Sequence, residues 1–91
     1  MEIDFDPRKN SRNIADRGLS FVMAKDFDFS TAVIAEDTRR VYQERRFQAL
    51  GLLDARVYML VFTPITGGIR VISFRKANKR EVRLYEKATD S

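Results

Sequence analysis

The C-terminal third of the chain contains the stretch Ile69-Arg70-Val71-Ile72-Ser73-Phe74-Arg75-Lys76-Ala77-Asn78-Lys79-Arg80-Glu81-Val82-Arg83-Leu84-Tyr85. Its first part, residues 69–76, is rich in β-branched and aromatic types, which predicts a strand. Asn78 and Glu81 resemble a capping box, so a helix is predicted to begin after Asn78 and to run to about Lys87. A strand that leads directly into a helix would hold the Lys and Arg side chains of this stretch on rigid elements. Such an arrangement suits phosphate binding, so nucleic acid is the first candidate ligand.

The composition is that of a small globular protein. The 91 residues leave no room for a second core, so we predict a single domain, residues 1–91. Hydrophobic residues make up 44% of the chain and charged residues 33%. This composition is too apolar for a disordered polypeptide. The net charge of +4 favours association with polyanions.

Two missing residue types exclude several kinds of site. The sequence contains no cysteine, which excludes disulfides and thiolate metal sites and suggests a reducing compartment. It contains no histidine, so a histidine base, a histidine metal ligand and a Ser-His-Asp triad are also excluded. The acidic N-terminus lacks the apolar region of a signal peptide, and no apolar run approaches the length of a membrane span. We therefore expect a cytoplasmic protein with no membrane partner and no cofactor.

Turn and cap residues divide the rest of the chain into short elements. Asp6-Pro7 is typical of a helix start and Gly18 of a helix end, and Ser20 is placed to cap a second, short helix. The run 57–62 is apolar at nearly every position and should be a central strand covered on both faces. The predicted strands are 2–5, 31–34, 46–53, 57–62 and 69–76, with helices at 7–17, 20–26 and 79–87, a loop at 36–43, and turns at 54–55 and 63–68. This order predicts an α+β fold with an N-terminal strand and two helices, an antiparallel sheet of about four further strands, and a C-terminal helix.

The cations of the C-terminal stretch are the first candidate binding residues. Strand alternation places Arg70 and Arg75 on opposite faces unless a bulge or the strand end intervenes. An arginine inside an apolar strand must pair with a carboxylate or open into a cleft, which makes Arg70 a candidate site residue. On the helix, Lys79, Arg80 and Arg83 are close enough in sequence to form one basic surface. The alternative is that all these side chains only solvate an edge strand and a surface helix.

Three further groups are candidates for proton transfer or for positioning. Tyr85 is either an ordinary core tyrosine or a group that stacks a base or moves a proton. Glu44 and Glu81 are candidates for a general base, for a partner that orients an arginine, or for a cap, which is the default role for Glu81. The acids near helix starts, among them Asp6 and Asp26, are expected to be caps, and no metal site is predicted.

Four segments follow one another in an order and spacing that match a known family. They are Phe5-Asp6-Pro7 with Lys9 and Asn13, Gly18-Leu19-Ser20-Phe21, Glu44-Arg45-Arg46-Phe47 with Gly51, and Arg70-Val71-Ile72-Ser73-Phe74-Arg75-Lys76-Ala77 with Glu81 and Tyr85. Together they resemble the BrnT toxins of bacterial type II toxin–antitoxin systems over about residues 3–86. Two positions depart from the family pattern. Asp16-Arg17 stands where the family usually has Lys-His, and Phe74 stands where alanine is common.

The resemblance implies a RelE-like α+β fold and a ribonuclease that arrests translation. It also implies a cognate antitoxin of the BrnA type that covers the toxin and that alone contacts operator DNA. It carries functional roles onto Arg70, Arg75, Arg80 and Tyr85, and further onto Glu44 and Arg46. The predicted catalytic residues are thus Arg70, Arg75, Arg80, Tyr85 and Glu44, and the predicted RNA-binding residues are Arg46, Lys76, Lys79 and Arg83.

These residue types permit RNA cleavage without a metal ion. The 2′-hydroxyl attacks the adjacent phosphorus and leaves a 2′,3′-cyclic phosphate, which requires donors for the developing phosphorane charge, a base and an acid. Arginine supplies paired donors. Tyr85 or Glu44 would accept the proton, and Lys76 or an arginine would assist the leaving group. We expect the three arginines of the predicted catalytic set to converge: Arg70, Arg75 and Arg80.

A non-catalytic binding module is the main alternative. The same basic surface would hold RNA or an acidic partner protein without cutting anything. Both hypotheses predict strong salt dependence of binding, so only a test of catalysis separates them. An enzyme acting on small molecules is disfavoured, because the chain has no cofactor motif and little volume for a pocket.

Overall fold

The computed structural model describes residues 1–90 and has a five-stranded mixed sheet at its centre. The elements in chain order are β1 (Glu2–Phe5), α1 (Pro7–Arg17), a 3₁₀ helix (Phe21–Asp26), β2 (Val33–Glu36), β3 (Phe47–Leu53), β4 (Arg56–Ile65), β5 (Gly68–Lys76) and α2 (Lys79–Thr89). The strand order across the sheet is β1-β5-β4-β3-β2. Strands β2 to β5 form an antiparallel meander, and β1 pairs in parallel with β5. The predicted α+β class and C-terminal helix are confirmed.

Short-range signals set the ends of the two α-helices. The Asp6 carboxylate accepts a hydrogen bond from the Arg8 amide (2.9 Å), and Gly18 ends α1 with a φ of 65°. At α2, the Asn78 side chain accepts from the Glu81 amide (2.8 Å), while the Glu81 carboxylate accepts from the Asn78 amide (2.9 Å). The predicted capping box is therefore present, with Asn as its first residue.

Several element boundaries and one helix type differ from those predicted. Strand β2 begins at Val33, two residues later than predicted, and the second helix is a 3₁₀ helix. Strand β4 continues to Ile65 and includes Pro64, which lies within the predicted turn at 63–68. The proline is tolerated because the pairing of β3 with β4 ends at the Phe47–Phe62 pair, so β4 is an edge strand on that side beyond Phe62.

The sheet is covered on both faces, as predicted for its central strand. One face packs against the 3₁₀ helix in a cluster that contains Phe21, Ala24, Leu60 and Phe74. The other face packs against α2 in a cluster formed by Leu50, Val57, Met59 and Tyr85. The neighbouring β4 residues Met59 and Leu60 belong to opposite clusters, which shows that β4 is buried on both sides.

Polar side chains attach α1 to the sheet. Asn13 is buried, and its amide nitrogen donates to the carbonyl oxygens of Leu19 and Phe74, both at 2.9 Å. The Asn10 side-chain oxygen accepts from the Phe21 amide at 2.8 Å. Ile14, in contrast, is 46% exposed. The inner side of this helix is therefore fixed by hydrogen bonds to the backbone of its neighbours.

A β-bulge in β5 changes the faces of the two candidate arginines. Val61 is opposite Ser73, but Phe62 is opposite Val71, so Ile72 is an extra residue in β5. The bulge places Arg70 and Arg75 on the same face, opposite Thr63 and Met59 and on the side of α2. Regular alternation would put these two arginines on opposite faces, and the bulge is the exception that the sequence analysis allowed for.

Candidate functional site

Arg70 is held between two carboxylates that come from distant parts of the chain. Its Nε donates to Asp4 Oδ2 at 2.8 Å, and its Nη1 donates to the two carboxylate oxygens of Glu44 at 3.1 and 3.2 Å. Asp4 is directly opposite Arg70 in the β1–β5 pairing. The hydrogen bond that Arg70 donates to Asp4 is the main cause that raises the pKa of Arg70, followed by the charge of Glu44. Of the two environments predicted for this arginine, a carboxylate partner or a cleft, the carboxylate partner is thus present.

An open groove of about 440 Å³ lies around Arg70, and we call it the Arg70 groove. Its lining includes Tyr42, Glu44, Arg46, Thr63, Arg70 and Ile72. The Arg46 guanidinium lies over the ring of Tyr42, 4.3 Å from its centroid. The Glu44 side chain is 55% exposed, so its carboxylate contacts Arg70 and is also open to solvent.

One buried carboxylate organises the loop that supplies Glu44 and Arg46. The Asp37 side chain is only 1% exposed and accepts from Arg39 Nε (2.9 Å), Arg39 Nη2 (2.8 Å) and the Tyr42 hydroxyl (3.2 Å). The Asp37 amide also donates to the Arg46 carbonyl at 2.8 Å. The hydrogen bonds that the carboxylate accepts, led by those from Arg39, hold the pKa of Asp37 well below its usual range. The predicted loop is thus fixed by Asp37, a residue that sequence reasoning did not single out.

Arg75 forms a second ion pair on the same face of β5. Its Nη1 and Nη2 donate to the two oxygens of Glu81 at 2.8 and 3.0 Å, a bidentate contact. Glu81 is buried and also caps α2, so it connects the strand to the start of the helix. The hydrogen bond from Arg75 is the largest cause that lowers the pKa of Glu81, ahead of the bond from the Asn78 amide. The default role of Glu81 as a capping residue is confirmed.

The remaining predicted site residues lie on and beside α2. An open groove of about 660 Å³, which we call the α2 groove, is lined by Lys76, Lys79, Arg83 and Tyr85, and also by Arg56 and Glu86. The Tyr85 side chain is 6% exposed and belongs to the core cluster under α2, and its hydroxyl is 3.4 Å from Thr31 Oγ1. Arg80 is exposed, and its charge contributes to the lowered pKa of Glu81.

The structure brings the predicted residues together in two places. Arg70 lies with Glu44 and Arg46, whereas Arg75 lies with Glu81. At about 3.3 Å per strand residue, the Cα atoms of Arg70 and Arg75 are roughly 13–17 Å apart. Arg70 and Arg75 therefore do not meet in this structure, since each is bound to its own carboxylate, and the convergence of all three arginines stays a prediction. The catalytic roles of these residues stay predictions.

Besides Tyr42 in the Arg70 groove, further basic and aromatic residues that were not among the predicted site residues line grooves, namely Arg17, Arg56 and Tyr58. A groove of about 480 Å³, here called the Arg17 groove, is lined by Arg17, Gly18, Leu19, Tyr58, Arg75 and Lys76. Arg56 lines the α2 groove. Arg17 and Arg56 are far from the C-terminal stretch in sequence, and their positions become visible only once α1 and the β3–β4 hairpin are placed around the end of β5.

Neither a metal cluster nor a membrane-spanning helix is found within residues 1–90. Within that range no group of three or more Asp or Glu side chains is placed to hold a metal ion. Over the same residues, no helix is both long and apolar enough to cross a membrane.

Comparison with known proteins assigns most of the chain to one family. A family model described as "Ribonuclease toxin, BrnT, of type II toxin-antitoxin system" matches residues 5–81, that is, 81 − 5 + 1 = 77 of the 91 residues. No curated protein and no solved structure matches the chain.

Proposed function

Because this chain belongs to the BrnT family of ribonuclease toxins of type II toxin–antitoxin systems, we propose that it is a metal-independent endoribonuclease that arrests translation. We place its catalytic centre in the Arg70 groove and regard its sheet and C-terminal helix as a RelE-like fold. A cytoplasmic location agrees with an RNA substrate.

The arrangement of Glu44 and Arg70 carries this proposal. The carboxylate of Glu44 is exposed to solvent and is held 3.1 Å from the Arg70 guanidinium, in a groove that Arg46 also lines. Phosphodiester cleavage needs a proton acceptor beside donors that face the phosphate. The Arg70 groove offers both in one open place, and it is wide enough to admit a phosphate group.

The chemistry follows from these groups. Glu44 accepts the proton of a 2′-hydroxyl, and the 2′-oxygen attacks the adjacent phosphorus. Arg46 and the Nη2 group of Arg70 donate to the non-bridging oxygens, where negative charge develops, and each such donor is worth about 3 kcal/mol. The bond from phosphorus to the 5′-oxygen then breaks. The products are a 2′,3′-cyclic phosphate and a 5′-hydroxyl, whose oxygen takes up a proton from a neighbouring cation or from water.

Tyr85 is a weaker candidate for the base than Glu44. Its ring is buried under α2, and its hydroxyl is 3.4 Å from the Thr31 hydroxyl, whereas the Glu44 side chain is 55% exposed. Arg75 and Arg80 are assigned to positioning of the RNA, because Arg75 already shares its guanidinium with Glu81.

We also propose a cognate antitoxin of the BrnA type as the protein partner. Its toxin-binding segment should carry acidic and apolar residues, because the toxin has a net charge of +4 and exposes large apolar side chains such as Ile34 and Leu84. Operator DNA would be contacted through that antitoxin. A gene for such a protein beside the toxin gene, and loss of cleavage when the two proteins are mixed, would support this assignment.

Substitution of Glu44 tests the proposed catalytic centre. Glu44→Gln keeps the size of the side chain but removes the base, so the cleavage rate of a defined RNA should fall by about 10²-fold or more. Lys25→Ala removes an exposed cation from the 3₁₀ helix and should leave the rate unchanged. Full cleavage by folded Glu44→Gln protein would overturn the assignment of Glu44.

One observation favours a non-catalytic binding module as the second candidate function. Both β5 arginines are already neutralised by carboxylates in this structure, Arg70 by Asp4 and Glu44, and Arg75 by Glu81. If wild-type protein binds RNA but leaves it intact in the assay above, this alternative replaces the ribonuclease.

A further inference from the structure

We propose that the Arg17 groove and the α2 groove together form a binding path for single-stranded RNA that passes around the end of β5. The two grooves share one lining residue, Lys76, which is the last residue of that strand. The inference rests on the proposed function in one respect only, namely that the ligand is RNA.

The two grooves are centred on different faces of the sheet, and Arg75 reaches the Arg17 groove from the α2 side at the end of β5. Tyr58, in the Arg17 groove, packs on Phe74 in the core cluster beneath the 3₁₀ helix, with ring centroids 5.5 Å apart. Val57 and Tyr85, in the α2 groove, belong to the cluster on the other face. Lys76 stands between them at the strand end. A chain that occupies both grooves must therefore bend around the edge of the sheet.

The charges along this path suit a polyanion. The α2 groove is lined by Arg56, Lys76, Lys79 and Arg83, against a single carboxylate, Glu86. The Arg17 groove adds Arg17 and Arg75, and Glu81 is bound to the latter. Within residues 1–90, ion pairs engage Arg39, Arg45, Arg70 and Arg75, so the other cations of the path have no carboxylate partner.

The negative end of the α1 helix dipole only partly offsets the positive charge of the Arg17 groove. Arg17 and Gly18 stand at the C-terminus of α1, where the helix dipole is equivalent to about half a negative charge. Three cations line the same groove, Arg17, Arg75 and Lys76, and only Arg75 is shared with a carboxylate. The positive charge at this end of the path therefore exceeds the dipole, and phosphate is attracted.

The shape of the path selects a single strand. The protein measures only 37 × 29 × 24 Å, so a path from one face of the sheet to the other turns sharply within that distance. A double helix is too stiff to make such a turn at low cost. A single strand bends easily, and the ring of Tyr58 in the Arg17 groove offers a surface on which an unpaired base can stack.

Binding of an uncleavable oligonucleotide tests the path without any need for catalysis. The probe is a fluorescent 2′-O-methyl RNA of twelve nucleotides, which lacks the attacking hydroxyl, titrated with full-length protein at several salt concentrations. Arg17→Ala and Arg56→Ala lie at opposite ends of the path and should each weaken binding about threefold to fivefold. Each should also lower the slope of log affinity against log salt by about 0.7. Lys25→Ala, outside both grooves, should change neither quantity.

Two competing probes complete the test. The same sequence annealed into a duplex should bind more weakly than the single strand, and equal or tighter duplex binding would overturn the single-strand assignment. Poly-glutamate of equal charge should be a poorer ligand than the oligonucleotide. If poly-glutamate instead binds more tightly and alone responds to the two arginine substitutions, the path is a surface for an acidic protein segment and the proposal is wrong.

Failure of this proposal and failure of the proposed function are distinguishable. If the variants bind the probe as wild type does while wild-type protein still cleaves RNA, only the path is wrong. If wild-type protein does not cleave RNA but the variants lose affinity as expected, the path stands and the catalytic assignment fails.

Discussion

Glu81 shows how one side chain can serve both a helix cap and an ion pair. It accepts hydrogen bonds from the Asn78 amide and from Arg75 while it is only 7% exposed. The cap could be predicted from the three-residue spacing of Asn78 and Glu81, because capping is a local interaction. The pairing with Arg75 could not, since it depends on the side to which the bulged strand turns that arginine.

The stability of the protein should depend on pH through Glu81. Its folded-state pKa is lowered from an ordinary value of 4.5, so its contribution is fully present above that pH and is lost as the pH falls through the folded pKa. Glu81→Gln should lower the free energy of unfolding at pH 7 by about 1–2 kcal/mol and should cost less at pH 3. Urea denaturation of both proteins at the two pH values measures this difference. Glu86→Gln, an exposed change on the same helix, is the control.

Substitution of Asn13 should lower the stability of the folded protein more than substitution of the neighbouring Ile14. Asn13→Ala leaves the carbonyl groups of Leu19 and Phe74 without the donor that each now has, at a cost of about 1–3 kcal/mol. Ile14 is 46% exposed, so Ile14→Ala should lower the free energy of unfolding by a smaller amount. Thermal unfolding of the two variants compares them directly. An equal or larger loss for Ile14→Ala would contradict the described packing of α1.

At the scale of elements, strand β5 was predictable and its bulge was not. The apolar composition of residues 69–76 indicates a strand of nearly the observed length. Both Val71 and Ile72 are apolar, however, so the sequence does not show which of them leaves the regular alternation. The predicted strand 57–62 is shorter than β4, because a proline at position 64 normally argues against a strand. Only the pairing of the sheet shows that β4 has a free edge at Pro64, where a proline is tolerated.

Strand β1 should depend on the absence of a side chain at Gly68. A Cβ there would collide with the backbone carbonyl oxygen of Glu2, so Gly68→Ala should separate β1 from β5 and move Asp4 away from Arg70. Hydrogen exchange should then show faster exchange at Glu2–Phe5.

Gly18→Ala is the matched comparison, because a Cβ at Gly18 meets nothing within 4 Å. That variant should cost about 1–2 kcal/mol from its left-handed backbone alone and should keep β1 protected. Unchanged protection of β1 in Gly68→Ala would contradict the account.

At the scale of the whole molecule, the order of elements followed from the sequence but the grouping of the site residues did not. Caps, turns and apolar runs are local signals, and they gave the β-α-helix-β-β-β-β-α order that the structure has. The partners of Arg70 are 66 and 26 residues away in the chain, and they meet it only through the parallel pairing of β1 and the loop held by Asp37. Such contacts depend on tertiary packing, which spacing within one segment cannot predict.

The products formed from a defined RNA in EDTA show whether this protein is a metal-independent ribonuclease. Wild-type protein would be incubated with a single-stranded RNA in excess chelator, and the ends of the fragments would be identified by mass spectrometry. We expect cleavage that persists in EDTA and leaves 2′,3′-cyclic phosphate and 5′-hydroxyl ends, because the 2′-hydroxyl is the nucleophile and arginines stabilise the developing charge. Intact RNA from folded protein, or 3′-hydroxyl and 5′-phosphate ends, would contradict this expectation.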